Sequence, residues 1–214
     1  MLIEVCGADG AGKSSLIDRL RRRLADTRQA RAYERVLRSD GRNMLEWAAD
    51  STGEPFDAGQ LDVVVILDVL RQAHGDLHLY QRNPTSHAFV SFYHAALLAR
   101  LHRSGQQGTA NLRQLLTLLP HPDLSFRIMV PADVALARLR ERAKGDTLLA
   151  APDPARAAAA AATSWAAAAW ALPYQQVVLD GTRPADLVAD QAFEALRGLL
   201  DGQPAGGPAS SGAS

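Results

Sequence analysis

The sequence predicts a three-layer α/β domain on a parallel sheet of about five strands, and three observations carry that expectation. Short apolar runs of strand length alternate with segments whose leucines recur at helical spacing. The first apolar run, Leu2–Cys6, opens into a glycine-rich stretch, and that stretch opens into a helical pattern. The 214 residues, 47% hydrophobic and 21% charged, suit one α/β domain with a full core. Strand–helix alternation of this kind implies right-handed crossovers with helices on both sheet faces.

Each element has its own local reason. Leu2–Cys6, interrupted by Glu4, reads as a buried strand. Lys13–Leu24 reads as a helix, with Leu16, Leu20 and Leu24 at four-residue intervals. Arg19 and Arg21–Arg23 close it, where cations suit the negative dipole end and water solvates them. Ala30–Leu37 is expected to be the second strand, and Ser39-Asp40-Gly41 a turn. Gly59–His74 reads as a mostly buried helix ended by Gly75, and Asp76–Tyr80 as the third strand. A polar loop, Arg82–Ser86, then leads to helices over Ala88–His102 and Asn111–Leu119. Leu124–Val130 is a strand, Ala132–Lys144 an amphipathic helix and Gly145–Pro154 irregular. Pro154 starts an alanine-rich helix that Pro173 stops. Gln176–Leu179 is the last strand, Asp180–Pro184 a loop and Ala185–Leu200 the last helix. A single domain thus covers residues 1–201, and residues 202–214, rich in Gly, Ala, Ser and Pro, are expected to be a disordered tail.

Composition narrows the function by exclusion. Basic and acidic residues number 23 each, so no global charge draws the chain to nucleic acid or to an anionic membrane. Cys6 is the only cysteine, which excludes an intrachain disulfide and a cysteine zinc site. The apolar stretch Ala157–Leu172 is shorter than the ~20 residues of a membrane span, and Met1 leads straight into the first strand, so a cytoplasmic protein is expected. The histidines lack ligand spacing. His87 and His94 read as surface or satisfied core groups, with a place in an acceptor pocket as the alternative. Trp165 and Trp170 read as packing anchors, and Phe89, Phe92 and Tyr93 as core residues or as rings available for stacking.

The glycine-rich stretch carries the chemistry. Gly7-Ala8-Asp9-Gly10-Ala11-Gly12-Lys13-Ser14 matches G-x-x-x-x-G-K-[ST] in full, after a strand and before a helix. Glycines let the backbone curl so that several N–H groups converge on an anion, and the helix start adds its positive dipole end. Lys13 reaches β- and γ-phosphates in such a loop, and Ser14 offers its hydroxyl to Mg²⁺. ATP and Mg²⁺ are therefore the expected cofactors. Arg138 and Arg142, four residues apart, are expected on one helix face, either solvated beside Asp133 and Glu141 or directed at phosphate.

Asp9-Gly10-Ala11-Gly12-Lys13-Ser14-Ser15 resembles the phosphate loop of the thymidylate kinase family, G-x-D-G-x-G-K-[ST]-[ST]. Gln81-Arg82-Asn83-Pro84-Thr85-Ser86 sits where that family has D-R-Y-x-x-S after its third strand. Pro122-Asp123-Leu124, then Pro131 and the segment to Arg138 and Arg142, is similar to the strand and helix leading into the family's lid, here about residues 140–155. Val178–Pro184 is similar to the closing strand and the loop that touches adenine.

The resemblance implies a P-loop kinase fold with a small lid and roles residue by residue. Gly7, Gly10, Ala11, Gly12, Lys13, Ser14 and Ser15 would hold ATP, Ser14 the metal, and Thr182 and Arg183 the base. Asp9 would lie near the acceptor or metal, and Arg138 and Arg142 would approach ATP as the lid closes. Lys13, Arg82, Asp9 and Arg142 would form the catalytic set, and Arg71, Arg82 and Ser86 would join Asp9 at the acceptor, with Glu34-Arg35 or Arg38 standing in for the family's segment after its second strand. The family is usually dimeric, which implies a possible homodimer through the helix expected around Phe89–Leu101. The chain departs from the family at Gln81, where the family has Asp, and at Cys6, where it has Glu. The expected function is transfer of the γ-phosphoryl group of ATP to a nucleoside monophosphate, dTMP by default. A different small-molecule acceptor, or nucleotide-dependent regulation without turnover, is the alternative.

Overall fold

The computed structural model describes residues 1–26, 31–35, 39–81, 86–105, 110–142, 146 and 148–202. Its elements run β1 (Leu2–Cys6), α1 (Lys13–Asp26), β2 (Arg31–Arg35), α2 (Asp40–Thr52), α3 (Ala58–Gln81), β3 (Ser86–Val90), α4 (His94–Arg103), α5 (Ala110–Leu116), β4 (Leu124–Met129), α6 (Ala132–Arg140), α7 (Pro154–Ala171), β5 (Val177–Asp180) and α8 (Ala185–Gly202). The strands form one five-stranded sheet in the order β2-β3-β1-β4-β5. Every neighbouring pair is parallel, with Ile3 facing Phe89 on one side and Leu124 on the other.

Strand alternation divides the core into two. Ile3, Val5, Phe126, Ile128 and Leu179 pack beneath Leu16, Leu20 and Leu24 of α1 and Val188, Ala192 and Leu196 of α8. Leu2, Ala88 and Val90 point to the opposite face, onto α3, α4 and α5. All of β1 is buried, as a central parallel strand covered on both faces requires. The three layers follow directly. α7 lies outside α4 and α6, where Pro154 supplies the first residue and the Asp153 carboxylate accepts from the Arg156 N–H at 3.0 Å.

The sequence misplaces the third strand. Helix α3 runs through Gly75 to Gln81 and absorbs the segment 76–80. The alternation of Leu77 and Leu79 satisfies a strand template, but a helix interior tolerates one glycine at about 1 kcal/mol, and no atom crowds Gly75. The strand is instead Ser86–Val90, all buried, whose apolar end Ala88-Phe89-Val90 fills the gap between β1 and β2. The helix expected from Ala88 therefore begins only at His94. Ser39-Asp40-Gly41 is a helix start rather than a turn: the Ser39 hydroxyl accepts from the Arg42 N–H and caps α2. The expected tail beyond residue 202 lies outside the described residues, as do residues 143–145 and 147 of the expected lid. Among the described residues no helix is long and apolar enough to cross a membrane.

Candidate functional site

The loop after β1 has the backbone that its glycines allow. Gly7, Gly10 and Gly12 all take positive φ, of 146°, 84° and 102°. At Gly10 the requirement is double, because a side chain there would also strike the Ala135 carbonyl of α6. The Ala11 N–H closes the turn on the Ala8 carbonyl at 3.1 Å, and α1 begins at Lys13. Lys13 folds over the loop, donating to the Gly7 carbonyl at 2.8 Å, the Ala8 carbonyl at 3.0 Å and the Asp9 carboxylate at 3.3 Å. Its ammonium also lies 5.8 Å from the centre of the Trp165 ring on α7. Trp165 is thus a wall of the loop, whereas Trp170, expected to be a packing anchor, is 91% exposed.

On the β4–β5 side the loop opens into a cavity of about 250 Å³. Ala11, Gly12, Ser15, Arg138, Gly181 and Arg183 are among its walls. Arg138 is fixed there, donating from Nη2 to the Gly181 carbonyl at 2.8 Å. Gly181 is itself held by the Met129 carbonyl at 2.8 Å, between β4 and β5. Asp180 accepts from the Thr182 N–H at 2.9 Å and hydroxyl at 2.6 Å, which holds its carboxyl below the usual range and shapes the loop. Of the expected residues, Arg138 and Arg183 are thus gathered beside Ser15, whereas Thr182 is turned to Asp180 and does not line the cavity.

On the β3 side lies an open cleft of about 570 Å³ between α2, α3 and α4. Arg42, Asn43, Val65, Phe92, Arg100 and Arg103 line it. Arg103 sits close enough to the loop to feel Asp9: surrounding atoms lower its pKa by desolvation, and the Asp9 charge opposes that. Arg42 pairs with Glu46 at 2.6 Å, and Arg100 is bound by the buried Asp62. None of these basic residues was singled out from the sequence. The available signals were an acid within the apolar run Leu61–Leu70 and arginines three residues apart at the end of a helix, a pattern that ordinarily marks a solvated helix terminus.

Several expected site residues fall elsewhere. Ser86 is the first residue of β3, paired with Arg31, and is buried at the end of the sheet opposite the loop. It cannot reach an acceptor there. The segment 81–86 runs from the end of α3 to the first residue of β3 instead of following the strand, and Arg82 lies outside the described residues. Ser91-Phe92-Tyr93 occupies the end of β3 that faces the cleft. Arg142 does not share a helix face with Arg138, because α6 stops at Arg140 with Glu141 as its C-cap; Arg142 is exposed beyond it. Arg71 is exposed on α3 and lines neither cavity. Arg35 ends β2, with β3 between it and β1. The segment Phe89–Leu101, expected as one helix at a dimer contact, is split between β3 and α4; Phe89 is buried in the sheet, and α7 packs on α4. His87 and His94 are buried core groups, both driven down to about 4 by burial first, then by the N-terminal amine for His87 and by His121 for His94.

Glu4 is the largest surprise of the core. It is fully buried on β1, where Oε1 accepts from the Ala95 N–H of α4 at 2.9 Å. Oε2 accepts from the hydroxyls of Ser125 at 2.7 Å and Tyr174 at 2.9 Å. Burial raises its pKa, and these donors oppose the rise. The acid therefore pins the N-terminus of α4, the helix that carries Arg100 and Arg103, to the central strand.

The donor groups fit a magnesium nucleotide. Ser14 stands exposed in the first turn of α1, beside Lys13. Among the described residues no three His, Cys, Asp or Glu side chains gather at a metal-binding distance. No protein-family model matches the chain, and a search of curated proteins finds no match.

Proposed function

We propose that this protein is an ATP-dependent phosphotransferase of the thymidylate kinase type, which passes the γ-phosphoryl group of ATP to a nucleoside monophosphate, with dTMP the first acceptor to test. One observation carries the reading: a complete phosphate-loop motif opens on a compact cavity walled by Arg138 and Arg183, and the charge of its Asp9 reaches Arg103 of a basic cleft that Arg42 and Arg100 also line. The first suits the donor base and the second an anionic acceptor. Magnesium, when bound, neutralises charge on the donor phosphates.

The chain's own residues supply the rest. Backbone N–H groups of Gly10–Ser14 and the start of α1 hold the donor phosphates. Lys13 exchanges the Gly7 and Ala8 carbonyls for phosphate oxygens. Arg103, near Asp9, stabilises charge between donor and acceptor. An oxygen of the acceptor phosphate forms the new bond to the γ-phosphorus as the bond to the β-phosphate oxygen breaks, and ADP leaves. That nucleophile has no proton to lose, so no general base is required. The nearby carboxylates are in fact engaged: Glu46 with Arg42, Asp62 with Arg100 and Asp9 with Lys13. A hydroxyl acceptor would need one of them free.

A second reading, kinase chemistry on another phosphorylated small molecule, is favoured by Ser91-Phe92-Tyr93 at the end of β3, where the family places Asp-Arg-Tyr. One panel separates the two. Protein with MgATP is offered dTMP, the other nucleoside monophosphates and plain nucleosides, and ADP release is followed. ADP formation with dTMP above the acceptor-free background supports the first reading, and turnover only with another acceptor replaces it. Tight ATP binding without turnover on any acceptor points to a regulatory nucleotide-binding protein.

A further inference from the structure

Asp62 is an acid set inside an apolar helix. It lies on α3, 1% exposed, and a carboxylate at that depth requires partners. Both come from the C-terminal end of α4 and its cap: Arg100 donates from Nε to Oδ1, and the hydroxyl of Ser104, the C-cap, donates to Oδ2. If the contact served only to join α3 to α4, a well-packed apolar pair would do so at least as well. Its geometry has a second consequence. The bond uses Nε, and among the described residues the Arg100 guanidinium makes no other hydrogen bond. The terminal nitrogens, with their paired N–H donors, stay available on a side chain that lines the cleft beside Arg42 and Arg103.

We propose that Asp62, with Ser104, is a positioning residue of the acceptor cleft: it holds Arg100 by Nε and thereby aims the terminal guanidinium nitrogens at an acceptor phosphate. This rests on the acceptor role given to the cleft above. The clamp fixes the arginine before the ligand arrives, so the bidentate grip costs little side-chain ordering on binding. Arg100 and Arg103 are three residues apart and share a helix face, which places a fixed cation next to the one that neighbours Asp9.

The test uses the full chain saturated with a non-hydrolysable ATP analogue and Mg²⁺, and calorimetry of dTMP and of inorganic phosphate. Asp62→Asn is expected to weaken dTMP binding about 10- to 100-fold while the affinity for the ATP analogue changes less than about threefold. Arg100→Met is expected to match it. In the Arg100→Met background, Asp62→Asn is expected to add less than about a further threefold, because the acid acts through the arginine. Independent, multiplying losses overturn the proposal, and so does wild-type dTMP affinity in Arg100→Met. Should Asp62→Asn fail to fold, Ser104→Ala decides: a loss of about threefold for dTMP alone supports the clamp, and no loss, or an equal loss for the ATP analogue, overturns it. If the wild-type protein binds the ATP analogue and not dTMP, the acceptor assignment fails and inorganic phosphate becomes the probe. Phosphate binding lost in both Asp62→Asn and Arg100→Met then upholds the clamp, and absence of phosphate binding overturns it.

Discussion

The two sides of the phosphate loop are built differently. On the β4–β5 side the walls are backbone and short contacts: Arg138 bound to the Gly181 carbonyl, Gly181 bound to Met129, and Thr182 bound to Asp180. On the α2–α4 side they are long cations from two helices, Arg42 of α2 and Arg100 and Arg103 of α4, and α2 itself has no buried residue. A site made of main chain is rigid and serves any ligand with the same phosphates. Under the proposed function, a site made of side chains on a lightly packed helix is the side that would select one acceptor.

The proposed division of labour is open to direct attack. Lys13→Ala should have the largest effect, lowering ATP affinity or turnover by about 100-fold or more, since it removes the charge common to both sides. Calorimetry with ATP and ADP release measure it, and unchanged activity would contradict the nucleotide reading. A paired experiment comes next. Arg103→Ala should lower kcat/KM for the acceptor about 10-fold with KM for ATP nearly constant, and Arg138→Ala should raise KM for ATP about 10-fold with KM for the acceptor nearly constant. Equal effects of either variant on both substrates would erase the distinction between the two sides.

The third expectation concerns pH. His94 sits at the N-terminus of α4 with its ring against His121 and Tyr174 and near Glu4; burial first, then His121, holds its pKa down at about 4. His87 is likewise held at about 4, mainly by burial. The unfolded chain therefore binds more protons than the folded one between about 6.5 and 4. Their contribution to stability is complete above pH 6.5 and is lost as the pH falls through the folded values near 4. Glu4, whose pKa is raised, acts in the opposite direction: its contribution is present below 4.5 and is lost as the pH rises toward the folded value. Thermal melts across this range check the balance, and His94→Leu should flatten the acid limb. The smallest effect is expected at Trp165. Replacing it by leucine should change ATP affinity about two- to fivefold, the worth of one cation–π contact with Lys13. Its fluorescence should respond to ATP; a silent Trp165 would place the lysine contact outside the binding event.

What was legible follows the range of the interactions involved. The phosphate loop, α1, β4, α7 and α8 are each specified within about twenty residues by glycine spacing, leucine periodicity or a proline start, and these lie close to their expected bounds. The third strand was misplaced because Leu77 and Leu79 fit either period, and only the vacancy between β1 and β2 selects Ala88-Phe89-Val90. Arg142 was misassigned for a related reason, since the arginine spacing gives no sign that α6 ends at Arg140.

By itself, the sequence determined the layered parallel architecture and the loop from Gly7 to Ser14, because both rest on local periodicity and on backbone conformations that glycine allows. The tertiary structure alone decided which cations face that loop. Arg42, Arg100 and Arg103 meet at one cleft only because α2, α3 and α4 are packed together, with Glu4 holding α4 to β1 and Asp62 joining α3 to α4. Those are contacts between a buried acid and groups distant in the chain, and they arise where burial forces each acid to find a partner.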